Sequence, residues 1–131
     1  MMYNVFETYL QLRTIAEDSF LDIIQSTSFI GERASQPNKL RIYFVDGSLL
    51  DIWLTSDGDY SYHWEHRAQR GMIHRWDNAP HHTGVDTYPD HFHNESEECI
   101  TTSNLSKDPT YAIIEVLKFI RKKLKEYQSI K

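Results

Sequence analysis

Residues 39–77 read KLRIYFVDGSLLDIWLTSDGDYSYHWEHRAQRGMIHRWD, and this stretch decides the fold. Two Asp-Gly pairs, Asp46-Gly47 and Asp57-Gly58, are strong signals for tight hairpin turns, and a further turn is expected near Gly71. The segments between the turns have the aromatic and branched residues typical of strands: Leu40–Val45, Leu49–Leu54, Tyr60–His66 and Met72–Asp77. Strands joined by such short turns form an antiparallel meander.

The sequence before and after this stretch adds one strand and two helices. Phe29–Arg33 is predicted to be a strand that returns through a turn at Ser35–Asn38, where Pro and Asn supply turn dihedrals. Apolar residues at three-to-four spacing predict amphipathic helices at residues 3–16 and 108–127. The second helix has an N-cap and a first-turn proline at Asp108-Pro109.

These elements predict the fold class and one domain over residues 1–131. We expect an α+β fold in which an antiparallel five-stranded meander sheet, residues 23–78, packs against N- and C-terminal helices. The other face or one end of the sheet should stay open. Residues 79–107 are rich in His, Asp, Pro, Ser and Thr and are predicted to be a long His-rich loop.

Composition limits the class of protein. With 40% hydrophobic and 25% charged residues, the chain has the balance of a folded globular domain. Its beginning lacks the basic region and apolar run of a signal peptide, and no segment approaches the ~20 apolar residues of a membrane span, so we expect a cytoplasmic protein. The single cysteine, Cys99, fits a reducing compartment and follows Glu97-Glu98, whose charges disfavour a reactive thiolate.

The charge distribution argues against general binding of nucleic acid. The net charge is −5 with neutral histidines, so any attraction for a polyanion must be local. Five basic residues do gather near the C-terminus: Lys118, Arg121, Lys122, Lys123 and Lys125. They suit the C-terminal end of a helix dipole and a solvated face, or they form a docking strip for RNA or an acidic partner protein.

The strongest functional signal is the placement of histidine. All 7 histidines of the chain lie between His63 and His93. Imidazole transfers protons near neutral pH and is a common metal ligand, so the clustering predicts one shared pocket next to a guanidinium group. On the strand Tyr60–His66, side-chain alternation places Ser61, His63 and Glu65 on one face. Arg75 and Asp77 likewise share a face of the next strand, but the register between the two strands is left open.

Three interpretations of the histidines remain open from the residues alone. A divalent metal site could use loop residues as ligands, namely His81, His82, Asp90, His91 and His93. A metal-free phosphodiesterase could instead hold the phosphate with a cation such as Arg75, with one histidine taking the 2′-OH proton and another protonating the leaving oxygen. The third interpretation is a loop held in place by imidazole hydrogen bonds, without catalysis.

Three motifs resemble, in order and spacing, the TumE family of toxins from type II toxin–antitoxin systems. They are Ser61-Tyr62-His63-Trp64, Arg75-Trp76-Asp77-Asn78-Ala79-Pro80-His81-His82 and Tyr88-Pro89-Asp90-His91-Phe92-His93. The resemblance implies a functional set of seven residues: His63, Arg75, Asp77, His81, His82, His91 and His93. The chain departs from the family pattern at Asp90, where the family often has histidine, and at Thr83, where it commonly has proline.

The resemblance also implies a biological role. It implies a growth-inhibiting toxin encoded beside a helix-turn-helix antitoxin that binds and silences it. Many type II toxins are ribonucleases, so we expect an RNA-cleaving enzyme with RNA as its substrate. In this enzyme His63, His81 and His91 are expected to form the acid–base group, and Arg75 is expected to anchor the phosphate. The alternatives are a metal-dependent hydrolase or nucleotidyl-transferring toxin, and a non-catalytic protein-binding module. The sequence leaves open whether the chain forms a homodimer.

Overall fold

A computed structural model describes residues 4–33 and 37–129. These residues form three helices and seven strands, in the order α1 Val5–Ser19, β1 Ile24–Ile30, β2 Lys39–Phe44, β3 Leu49–Leu54, β4 Tyr60–His66, α2 Arg67–Arg70, β5 Met72–Asp77, β6 His91–Glu95, β7 Ile100–Thr102 and α3 Pro109–Ser129. Tyr3, where the first helix was expected to begin, lies outside the described residues. So do Ser35 and Gln36 of the turn expected before β2.

The strands form one antiparallel sheet in sequence order from β1 to β7. The predicted α+β fold, an antiparallel sheet with N- and C-terminal helices, is confirmed. The count of five strands is wrong, because the segment expected to be a loop at residues 79–107 contains β6 and β7. The strand β6 pairs with β5 along its whole length, and its outward residues are polar, so it lacks the apolar signature that marks the earlier strands.

Both long helices pack on the same face of the sheet. Alternate strand residues point toward the helices and are almost fully buried, among them Leu40, Ile42, Phe44, Leu50, Ile52, Tyr62 and Trp64. The helices contribute Leu12 and Ala16 from α1 and Ile113, Leu117 and Ile120 from α3. Within the described part of the chain, neither long helix covers the opposite side of the sheet, which we call the outer face.

Local capping fixes where each long helix begins. The Asn4 side chain accepts a hydrogen bond from the backbone N–H of Glu7, which caps α1. Asp108 does the same for α3, because its carboxylate accepts from the backbone N–H of Thr110 at 3.0 Å. Pro109 then occupies the first helical position, where a missing N–H costs nothing.

Two of the five basic residues near the C-terminus, Arg121 and Lys123, have acidic partners, whereas Lys118, Lys122 and Lys125 are exposed. The Arg121 guanidinium lies 2.6 Å from a carboxylate oxygen of Asp22 and covers the ring of Phe20. Lys123 lies 3.6 Å from the carboxylate of Glu126. Arg121 therefore ties α3 to the segment that follows α1.

Candidate active site

The register of three neighbouring strands aligns the polar residues of the outer face in rows. His63 on β4 lies opposite Arg75 on β5, and Arg75 lies opposite His93 on β6. Asp77 is likewise opposite His91. Because alternate residues of a strand share a face, these five side chains all project from the outer face. The sequence predicted the faces of β4 and β5 but not this register.

Arg75 is at the centre of the rows. Its Nη1 atom lies 3.3 Å from Nδ1 of His63, and its Nη2 atom lies 3.3 Å from Nε2 of His93. Its Nε donates to a carboxylate oxygen of Asp77 at 3.0 Å. Burial alone would lower the pKa of Arg75, but hydrogen bonds to Glu97 and Asp77 outweigh burial and raise that pKa. The guanidinium is therefore a permanent positive charge between two imidazoles.

Glu97, in the turn between β6 and β7, covers the outward side of Arg75. Its two carboxylate oxygens accept from the two terminal nitrogens of the guanidinium, with 3.1 Å between Oε2 and Nη1. The hydrogen bond from Arg75 lowers the pKa of Glu97. The Glu97 side chain is 46% exposed, so this carboxylate lies where a bound anion from solution would meet Arg75.

His91 and His93 form the buried part of the site, with exposed fractions of 1% and 3%. Nδ1 of His91 donates to the backbone carbonyl of Pro89 at 2.9 Å, and Nδ1 of His93 donates to the carbonyl of Glu97 at 3.0 Å. A carbonyl oxygen only accepts, so both rings carry their N–H at Nδ1. Their Nε2 atoms lie 3.1 Å apart, and each presents a lone pair whenever its ring is neutral. Burial, together with the charge of Arg75, lowers the pKa of His93, which keeps that ring neutral.

The irregular segment between β5 and β6 brings a third imidazole to this pair. The ring of His82 lies edge-on to the rings of His91 and His93, with centroid distances of 4.7 and 5.5 Å. The beginning of the segment is fixed by Asp77, whose carboxylate accepts from the backbone N–H of Ala79 at 2.9 Å. We call the six side chains gathered here the outer-face cluster: His63, Arg75, Asp77, His82, His91 and His93.

Two side chains that the sequence placed in the site are not part of the group of ligand atoms formed by His82, His91 and His93. His81 is exposed, and within residues 4–33 and 37–129 its ring stacks on none of the other imidazoles. Asp90 lies away from the cluster, because its carboxylate accepts from the Tyr60 hydroxyl at 2.7 Å and lies 3.5 Å from Lys107. His91 and His93, expected on a loop between prolines, lie on β6 instead.

The remaining two histidines belong to the core under the helices. His66 stacks on the indole of Trp64 with 3.8 Å between centroids, and its Nε2 donates to Nδ1 of His74 at 2.9 Å. Burial, helped by His74 and Arg70, lowers the pKa of His66 to about 3. Burial, helped by Lys123 and Arg70, lowers the pKa of His74 to about 4. Four of the seven imidazoles therefore share the cluster, and these two pack as neutral rings.

Besides Glu97, two residues beside the cluster were not among the predicted site residues. Glu65 accepts a hydrogen bond from Nε2 of His63 at 3.1 Å, as their predicted position on one face of β4 allows. Trp53 is 43% exposed and lines an open groove of about 430 Å³ together with Ser61, Arg75 and Asp77. The other tryptophans, Trp64 and Trp76, are buried in the core.

In chemical terms, the cluster combines an anion-binding guanidinium with imidazoles that can transfer protons or bind a metal. None of the helices in the described parts of the chain is both long and apolar enough to pass through a membrane.

Comparison with known proteins gives one family. No curated protein and no solved structure matches the chain. The family model described as Toxin TumE matches residues 12–124, which include all three motifs and every member of the outer-face cluster. Because this match covers most of the chain, the protein belongs to the TumE toxin family.

Proposed function

We propose that the protein is the toxin of a type II toxin–antitoxin system and that it cleaves RNA at the outer-face cluster. One observation carries the proposal: Arg75, flanked by His63 and His93, lines the same open groove as the exposed indole of Trp53. A phosphate-binding cation beside an aromatic surface is the combination with which proteins hold single-stranded RNA.

Substrate binding is assigned to Arg75 and Trp53. The planar guanidinium can hold two oxygens of a phosphodiester, as it now holds the two oxygens of Glu97. Trp53 occupies an outward position of β3 opposite Ser61 of β4, so its ring can stack on a base next to that phosphate. Such contacts hold single-stranded nucleic acid without selecting a base sequence, and the 2′-hydroxyl required for the chemistry restricts cleavage to RNA.

The proton transfers are assigned to His63 and to the three histidines at the other end of the cluster, His82, His91 and His93. Nε2 of His63 donates to Glu65, which leaves the lone pair at Nδ1, the atom that faces Arg75. A phosphate bound to Arg75 places the adjacent 2′-hydroxyl near this lone pair, and His63 takes its proton as the 2′ oxygen bonds to phosphorus. The bond from phosphorus to the 5′ oxygen breaks, and that oxygen takes a proton from a water molecule held by His82, His91 and His93. The hydroxide that remains recovers a proton from His63, which returns to its neutral form. The products are a 2′,3′-cyclic phosphate and a 5′-hydroxyl.

The proposal includes a cognate antitoxin with a helix-turn-helix domain, on the basis of membership in this toxin family. The neighbouring reading frame tests this part. We expect a small helix-turn-helix protein that binds the toxin when the two are produced together and that prevents growth arrest. A toxin that arrests growth equally with and without the neighbouring protein would contradict the antitoxin assignment.

The enzymatic part is tested with purified protein and total cellular RNA. We expect the wild-type protein to degrade RNA and Arg75→Gln to be inactive, because the amide keeps similar length without the charge. Arg33→Gln, the same substitution at an exposed arginine, serves as the matched control for a lost positive charge and should keep full activity. Intact RNA with the wild-type protein, or equal cleavage by Arg75→Gln, would refute the proposal. RNA that becomes longer with added nucleotides would instead indicate a nucleotidyl transferase.

A further inference from the structure

We propose that His82, His91 and His93 bind one divalent transition-metal ion, with Zn²⁺ as the fitting ion. Each of these residues offers a ring nitrogen, and the three nitrogens lie within 4.8 Å of one another. Metal binding itself goes beyond the proposed function, whereas a catalytic role of the ion rests on the proposed function. The ion would act as the electrophile at the end of the cluster where the leaving oxygen is expected.

The distance between the two buried rings fits a metal. Two ligands of a tetrahedral Zn²⁺ with bonds of ~2.0–2.1 Å are separated by about 3.3 Å. The Nε2 atoms of His91 and His93 are 3.1 Å apart. His82, on the irregular segment between β5 and β6, is only partly buried, so it can move toward the ion without disturbing the sheet.

Tautomer assignment gives the second argument. The carbonyls of Pro89 and Glu97 each accept a hydrogen bond from a ring Nδ1, so the two Nε2 atoms face each other inside the protein. When both rings are neutral, the two Nε2 lone pairs repel unless a proton or a metal ion lies between them. Metal-bound histidines almost always donate their other N–H to a carbonyl or carboxylate, which is the arrangement at His91 and His93.

The surrounding charges accept a cation. Three carboxylates, Asp77, Glu97 and Glu65, are linked by ion pairs to only two guanidinium groups, Arg75 and Arg67. One negative charge is therefore left over. Asp77 is the carboxylate nearest to the imidazoles, with oxygens 3.1 Å from Nε2 of His91 and 3.5 Å from Nε2 of His93. Its charge offsets the cost of placing a cation among buried rings.

The ligand set leaves a position open. Three protein ligands plus water is the composition of catalytic zinc sites, whereas structural sites use four protein ligands. Zn²⁺ bound in this way polarises an oxygen ligand and lowers the pKa of its water. Arg75 makes only a long contact with the proposed ligands, with 3.3 Å between its Nη2 and Nε2 of His93. If an ion replaced this contact, Arg75 would still have Asp77 and Glu97 as partners.

The test measures metal directly, in full-length protein without a histidine tag. We expect one equivalent of Zn²⁺ by elemental analysis after dialysis, a rise in Tm on adding Zn²⁺ to chelator-treated protein, and a visible Co²⁺ spectrum of a four-coordinate site. His82→Ala should weaken Zn²⁺ binding by more than the roughly 10–100-fold cost of losing an outer-shell partner. His81→Ala, which removes the exposed neighbouring imidazole, is the matched control and should keep one equivalent.

Each outcome is decisive for one of the two proposals. A folded wild-type protein that binds no stoichiometric metal, or equal Zn²⁺ affinity in His81→Ala and His82→Ala, overturns the metal site. RNA cleavage that persists in metal-free protein also overturns a catalytic role of the ion and leaves the ribonuclease proposal standing. Stoichiometric Zn²⁺ without any RNA cleavage supports the metal site and overturns the ribonuclease proposal.

Discussion

The Nε2 atom of His91 faces the Nε2 atom of His93 at 3.1 Å, although the two residues are held at their opposite ring nitrogens by two different backbone carbonyls. One carbonyl, from Pro89, precedes β6, and the other, from Glu97, follows it. The strand and both of its ends thus hold the rings in place, so the pair is a rigid part of the sheet. Asp77 on the neighbouring strand completes the arrangement.

Replacing Trp53 with Ala should weaken RNA binding without disturbing the fold. Base stacking on an aromatic ring contributes ~1–3 kcal/mol, which corresponds to an increase of about 5–150-fold in Kd. Trp53→Phe should recover part of the affinity because it keeps an aromatic face. Fluorescence anisotropy with a labelled oligoribonucleotide measures both variants. An unchanged Kd for Trp53→Ala would remove this residue from the substrate site.

Glu97→Gln should bind RNA more tightly than the wild-type protein. The Glu97 carboxylate occupies the guanidinium of Arg75, so a substrate phosphate has to displace it. Glutamine keeps the side-chain length but loses the charge that competes with phosphate. The same anisotropy assay should show a lower Kd for Glu97→Gln and a Kd close to wild type for Glu98→Gln, the matched change at the next residue, which is exposed. Weaker binding by Glu97→Gln would mean that Glu97 positions Arg75 for the substrate.

The fold was predictable where apolar and polar residues alternate strictly. β2, β3 and β4 bury every second side chain, and Asp-Gly turns separate them. β6 has the same alternation, with Phe92 toward the helices, but His91 and His93 are as buried as core residues. The residues that bury these two rings are on β5 and at His82, which lie outside β6 in the sequence. A local pattern cannot reveal such partners, and β6 therefore looked like a loop.

The buried pair His66–His74 should make the folded state sensitive to acid. The folded protein keeps these rings neutral, with pKa values of about 3 and about 4, whereas the unfolded chain protonates them near pH ~6.5. The unfolded state therefore binds more protons below pH ~6.5. Stability is fully present above that pH and falls as the pH drops toward 4, by up to about 1.4 kcal/mol per pH unit for each ring.

Urea unfolding at pH 7 and pH 5 measures this effect. His74→Gln removes one of the two rings that the folded state keeps neutral, so the free energy of unfolding should depend less steeply on pH in the variant. The slope is informative even though the substitution also lowers stability at both pH values. Parallel pH dependence in the wild-type protein and in His74→Gln would show that this ring is not held neutral by the core.

The candidate site was predictable in its residue types and only partly in its members. The motifs pointed to His63, Arg75 and Asp77, and the strand register then brought them together with His93. His66 and His74 belong to the same histidine-rich stretch but point to the helix side. Alternation placed them opposite His63 and Arg75, and that separation was visible in the sequence. The role of Glu97 was not visible in the sequence, because it depends on the turn between β6 and β7, two strands that were not predicted.

The most direct test of the account uses an oligonucleotide with a single ribonucleotide among deoxyribonucleotides. The wild-type protein is expected to cut only after the ribonucleotide, which then carries a 2′,3′-cyclic phosphate, and His63→Ala is expected to cut about 10²–10⁴-fold more slowly. Cleavage of the all-deoxy strand, or equal rates with His63→Ala, would contradict the assignment of the outer-face cluster as a ribonuclease site.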